Sequence, residues 1–302
     1  MAREKFREWN PRAHSRELVA TCNAIIRRLS KYQLTLRQLY YQLVSKNIVP
    51  NTERSYQNLS SLVTRARLAG LMDWHAIEDR VRQPRNPPEF SSLSDLVETA
   101  LRSYRLPRWR GQEYYAELWV EKDALASVLA PLARQFHVTL MVNRGYSSAS
   151  AMKEGAERFR PYEYDRQLAL FYLGDLDPSG EDMVRDIRTR MHEFGICGLT
   201  VEKIALTIEQ VHEYDPPPNP AKMTDVRAPE YVAKYGTSSW EVDALDPEVL
   251  EEVITDAFEG ILDHEIMDAI ISQEEDDKAT LRNAVGDSLT DDEDEDDNED
   301  ED

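Results

Sequence analysis

From residue 114 onward, short apolar runs alternate with segments whose apolar side chains recur at helical spacing. Strands are expected at Tyr114–Val120, Val138–Val142, Gln167–Leu173 and Leu199–Leu206. Helices are expected between them, at Asp123–Gln135, Ser148–Phe159 and Ser179–Phe194. Strands alternating with helices of this length specify βαβ units and a parallel sheet, an α/β fold. In open α/β sheets, ligand sites lie beyond the carboxyl ends of the strands. Three acids stand there. Glu121 directly follows the first strand, and Asp175 and Asp177 follow the third, between Gly174 and Gly180. Residues two apart on an extended chain point the same way. Three carboxylates at one sheet edge repel each other unless a cation joins them, and hard oxygen donors suit Mg2+, with Mn2+ as a substitute. A lone Asp-x-Asp is commonly a solvated loop; the bracketing glycines and the third acid on another strand favour the metal site.

The N-terminal part reads differently. Ser15 is placed to cap a helix over 15–30, Thr35 to cap one reaching about Lys46, and a third helix over 53–69 stops at Gly70. Residues 71–77 are short and extended in character. This outline suits an α-rich N-terminal domain of the winged helix-turn-helix kind, and equally an ordinary helical bundle with a basic face. Arg54, Arg65 and Arg67 lie on the third helix, with Arg80, Arg82 and Arg85 just beyond; such residues suit phosphate contacts.

Charge separates these regions. The net charge of −21 conceals a first 110 residues with 20 Lys and Arg against 10 Asp and Glu, so +10 there and −31 in the remainder. A basic segment in an acidic chain points to nucleic acid. The expected organisation is a winged-helix domain over 1–82, a proline-rich linker and helix over 83–110, a sheet domain with a helical extension over 111–272, and a disordered acidic tail over 273–302, the last twelve residues holding 11 acids. Two distant cysteines and scattered histidines give no disulfide framework and no Cys or His metal site. No apolar run approaches membrane-spanning length, so a cytoplasmic location is expected, and a nucleoid-associated one where the basic segment meets DNA.

On the second helix, Leu36, Leu39, Tyr40 and Leu43 form a core stripe. Tyr41 is turned off that stripe and lies four residues after Arg37, on one helix face. A phenol is a poor nucleophile until it loses its proton or its anion is stabilised, which a neighbouring guanidinium does. Arg-x-x-x-Tyr alone is commonplace; its company gives it weight. Among residues 203–265, Lys222, Asp225, Arg227, Tyr231 and Tyr235 suit either a DNA channel or dimer interface or a packed cover, and Trp240, Val242 and Leu245 read as cover.

Residues 35–41 resemble the Arg-x-x-Tyr-Tyr motif of the topoisomerase VI A subunit and meiotic double-strand-break transesterase family. Val120-Glu121-Lys122 resembles that family's Toprim glutamate motif, Gly174–Gly180 its Asp-x-Asp motif, and Arg144-Gly145-Tyr146 the turn between them. The resemblance spans roughly residues 15–265 in the family's order, and the chain is similar to its compact standalone "Mini-A" members. It departs at Ser147-Ser148-Ala149, where A subunits usually carry Pro-Asp. The resemblance implies a winged helix followed by a Toprim domain, with Tyr41 as nucleophile and Arg37 steadying the phosphate. It implies Mg2+ on Glu121, Asp175 and Asp177, with DNA contacts from Lys122 and Arg144 added to Arg54, Arg65 and Arg67. It also implies double-stranded DNA as substrate, a 5′-phosphotyrosine link and a homodimer. No phosphate-binding ATPase loop is present, so strand passage would need a separate GHKL-type ATPase chain. The alternatives are a Toprim nuclease using activated water and a noncatalytic winged-helix DNA-binding protein.

Overall fold

The computed structural model describes residues 3–32, 34–77, 87, 89–143 and 148–290. Arg80, Arg82, Arg85, Arg144–Ser147 and Asp291–Asp302 lie outside the described residues. The chain divides into two compact units, Met1–Val81 with Tyr114–Ile261, and Arg82–Glu113 with Leu262–Asp302. The N-terminal helices and the sheet therefore belong to one unit.

That unit begins with α1 (Ala13–Arg28), α2 (Leu36–Ser45) and α3 (Glu53–Leu68). Ser15 lies inside α1, whose N-cap is Arg12 with no side-chain cap bond. Thr35 caps α2 in a reciprocal capping box with Gln38. Gly70 ends α3 at φ +69°, a conformation that side chains disfavour. Cys22, Ile25 and Leu29 of α1, Leu39 and Leu43 of α2, and Leu62 and Ala66 of α3 meet in one core. Residues 71–77 do not form the expected extended segment. Met72 is drawn fully into that core, and Trp74–Ala76 forms a 3-10 turn. The Arg67 guanidinium holds the Trp74 and Ile77 carbonyls and closes the turn.

Helix α4 (Leu93–Ser103) belongs to the second unit. The first resumes with β1 (Tyr114–Val120), α5 (Ala126–Gln135), β2 (Thr139–Val142), α6 (Ala149–Phe159), β3 (Gln167–Leu173), α7 (Pro178–Glu193) and β4 (Leu199–Ala205). These strands form a parallel sheet in the order β2-β1-β3-β4. Residues 116–120 and 168–173 are buried without interruption, because helices cover both faces of such a sheet. The order reverses direction at β1 and β3, which is where a crevice opens at the carboxyl edge.

Past the sheet come α8 (Ile208–Tyr214), capped by Thr207 and Gln210, and a ribbon of β5 (Asn219–Pro220) and β6 (Ser238–Ser239) around α9 (Ala228–Tyr235). Helix α10 (Pro247–Glu259) packs against α5 and β4. In the second unit, α11 (His264–Thr290) packs against α4. Residues 273–290, expected as the start of a disordered tail, continue this helix. The reason is Glu274, fully buried and held by the Leu106 amide (3.0 Å), Arg108 (2.9 Å) and Lys278 (2.8 Å). No helix among the described residues is long and apolar enough to cross a membrane.

Candidate active site at the sheet edge and helix α2

Strands β1 and β3 are neighbours in register, Val120 opposite Leu173, so the residues that follow them are neighbours too. The Asp175 amide donates to Glu121 Oε2 at 3.3 Å, as does the Tyr172 hydroxyl. Asp177 does not join this pair. Its Oδ1 accepts from the Gly180 amide (2.6 Å) and the Ser179 hydroxyl (2.9 Å), making it the N-cap of α7 ahead of Pro178. The expected convergence of three carboxylates is thus a pair plus a helix cap. Among the described residues, no three His, Cys, Asp or Glu side chains group in a metal-holding arrangement. A Cβ at Gly180 would lie 2.2 Å from the Asp175 carbonyl oxygen, so α7 starts closer beneath Asp175 than any other residue would permit.

Lys122 follows Glu121 and turns into a cluster of acids. Its ammonium contacts Asp175 Oδ1 (2.9 Å), Glu241 Oε2 (2.7 Å) and Asp243 Oδ1 (2.8 Å). Burial opposes its charge, but Asp243, Asp175 and Glu241 outweigh that and raise its pKa. The Val242 amide donates to Asp175 Oδ1 at 2.9 Å, and Trp240 pairs with Leu176 through two backbone bonds. Burial pushes the Asp175 carboxyl up to about 7; Lys122 opposes this, and Glu121 adds to it. Glu121 has no cationic partner among the described residues. Glu121 and Asp175 carry the hard oxygen donors that suit Mg2+, although Asp175 Oδ1 is taken up by Lys122 and the Val242 amide.

Helix α2 meets the same cluster. Arg37 is ion-paired to Glu241, and its Nε lies 3.2 Å from Asp243 Oδ2. Its Nη2 also donates to the Tyr41 hydroxyl at 3.4 Å, one helical turn away. Tyr41 is buried, and burial raises its phenol pKa; Glu241 raises it further while Arg37 lowers it. For Glu241, burial opposes ionisation, yet Lys122, Arg37 and the Tyr41 hydroxyl bring the carboxyl down to about 2. Tyr40 is structural: its hydroxyl accepts from the Thr52 amide (2.8 Å) and lies within bonding distance of the Pro50 carbonyl (3.0 Å). A solvent-open cavity of about 310 Å3 has Arg37, Tyr41, Glu241, Tyr56 and Glu53 in its wall.

The remaining candidates divide. Arg54 is exposed on α3. Arg65 is exposed and lies 5.4 Å from the Trp9 ring centroid, while Arg67 is consumed by the turn after α3. Arg227 pairs with Asp225 and Asp182, Tyr231 donates to the Leu176 carbonyl, and Tyr235 donates to Glu181, so these serve the cover over the sheet. Val242 and Leu245 are buried in that cover. Glu241 and Asp243 went unread in the sequence, although their acid-x-acid spacing repeats that of Asp175 and Asp177. No protein-family model matches the chain, and no curated protein is significantly similar to it in sequence.

Proposed function

We propose that the chain is a DNA-cleaving transesterase resembling the topoisomerase VI A subunit, with a winged-helix-like N-terminal region and a Toprim-like sheet. The observation that carries this reading is the Arg37–Tyr41 pair in the wall of an open cavity, joined through Glu241 and Lys122 to the acid-bearing sheet edge of the same unit. The Tyr41 oxygen attacks a DNA phosphorus, forms the 5′-phosphotyrosine bond and releases a 3′ hydroxyl. The phenolic proton passes to solvent, and the leaving oxygen takes one up. Arg37 holds the phosphate and favours the phenolate. Glu121 and Asp175 would hold a divalent cation, which when bound offsets charge developing on the phosphate. Phosphodiester energy is kept in the new bond, so the reverse attack reseals the strand. Double-strand cleavage calls for a second copy of the chain, and ATP-driven strand passage for a separate ATPase chain.

The test is incubation with supercoiled DNA and Mg2+ or Mn2+, denaturation, and a search for protein covalently attached to 5′ ends. Tyr41→Phe abolishes the adduct. A second reading, a Toprim nuclease using metal-activated water, draws on Glu121 and Asp175 as neighbours at the sheet edge. Free ends cut equally well by Tyr41→Phe select that reading.

A further inference from the structure

We propose that Glu241 is an internal stand-in for a DNA phosphate, held on Arg37 until a duplex displaces it. This rests on the assignment of Arg37 as a phosphate-holding residue. A guanidinium presents the same fork of donors to carboxylate and phosphate, so the two compete for one position. Glu241 is built to leave. Its side chain is 23% exposed and Arg37 is 45% exposed, and both border the open cavity. Asp243 on the same segment is fully buried and keeps Lys122 when Glu241, which shares that ammonium at 2.7 Å, lets go. The backbone between them is pinned by the Trp240–Leu176 bridge and by the Val242 amide on Asp175. Exchange is therefore a rotation of one side chain rather than movement of the segment.

The exchange has a chemical consequence at Tyr41. Burial raises the pKa of the phenol, the Glu241 charge adds to that, and Arg37 works against both. When a phosphate takes over Arg37, Glu241 moves away from the nucleophile. The exchange thus replaces a carboxylate beside Tyr41 by the phosphate that it attacks, one anion for another on Arg37.

The experiment measures binding of a short DNA duplex by fluorescence anisotropy, at low salt and without divalent metal. The chains are the wild type, Glu241→Gln, Glu241→Asp and the surface control Glu202→Gln, each with and without Arg37→Gln. Glu241→Gln binds about tenfold tighter than wild type, because an internal competitor is gone. Glu241→Asp, one methylene shorter at unchanged net charge, gains about threefold. Glu202→Gln, which removes a charge from an exposed position on β4, stays within about twofold. Both gains vanish beside Arg37→Gln. A gain for Glu241→Gln no larger than for Glu202→Gln, no gain for Glu241→Asp, or gains that survive Arg37→Gln overturns the proposal. Thermal melts confirm that each chain is folded, and Glu241→Asp carries the test if the glutamine variant is not. Failure of the transesterase reading shows separately, as absence of a Tyr41 adduct alongside Arg37-dependent gains in binding. Failure of this proposal shows as adduct formation with no such gains.

Discussion

Two buried carboxylate clusters in the same unit solve the problem of burial in opposite ways. Glu117, fully buried in the middle of β1, is one acid matched to one base. Arg158 holds it with two bonds of 2.8 Å, and the Trp119 indole (2.8 Å) and Tyr115 hydroxyl (2.9 Å) complete the set. At the sheet edge, Asp175, Glu241 and Asp243 share Lys122 and Arg37, with Glu121 alongside. Acids there outnumber bases, and a cavity reaches Glu241 and Arg37 from solvent. A matched pair, its acid fully buried, holds the sheet to α6. An unmatched and open cluster has charge available for a cation and a cation available for a phosphate.

The comparison breaks most readily at its matched member. Arg158→Ala leaves Glu117 buried without its counter-charge and costs about 3 kcal/mol or more in denaturant titration. Arg37→Ala, at a half-exposed position, costs below about 1 kcal/mol while abolishing DNA cleavage. Equal stability losses would erase the distinction. Lys122→Met comes next, with a loss of about 2 kcal/mol at neutral pH, since Arg37 still covers Glu241 and Asp243. This loss shrinks as the pH falls below about 7 and Asp175 takes up a proton.

Added Mg2+ then sharpens the contrast. At pH 8, tenfold above its dissociation constant, it stabilises the wild type by about 1.4 kcal/mol in thermal melts. It does nothing for Asp175→Asn, whereas a variant of the Glu117 pair retains the response. A further effect is on the acid limb. The Glu241 carboxyl is depressed from 4.5 to about 2, so its contribution to stability is present above 4.5 and lost as the pH falls toward 2. Asp175 has the opposite sign: raised from 3.8 to about 7, it favours the fold at low pH and loses that contribution as the pH rises through 7. Glu241→Gln flattens the acid limb of a melting-temperature profile and leaves the neutral limb unchanged.

Periodicity carried most of the sheet. The four strands fall within a residue or two of the pattern, because buried parallel strands leave little choice of side chain. The cap at Thr35 was legible because it bonds to its own first turn. Ser15 shows the limit, since a residue suited to capping is dispensable where the helix starts earlier. The segment 71–77 was misread because Met72 answers to a core shared by three helices rather than to a local pattern. In the helix past 273, a charge run concealed one buried acid, Glu274, and its partners on either side of the sequence. At the site, Arg37 and Tyr41 were legible from helical spacing. Glu241 and Asp243 were not, because their partners lie some 120 to 200 positions away. The role of Asp177 was open to view in Asp-Pro-Ser-Gly, which is a helix start as well as half of an acid pair.

The missing side chain at Gly180 gives the site a mechanical handle. A single methyl there meets the Asp175 carbonyl oxygen head-on, with no flexible side chain in the way to absorb it. Gly180→Ala therefore acts as a wedge, shifting Asp175 relative to Glu121 while leaving every charge in place. Helix α7 sets the spacing of the two acids from below, and its first turn is the ruler against which that spacing is held.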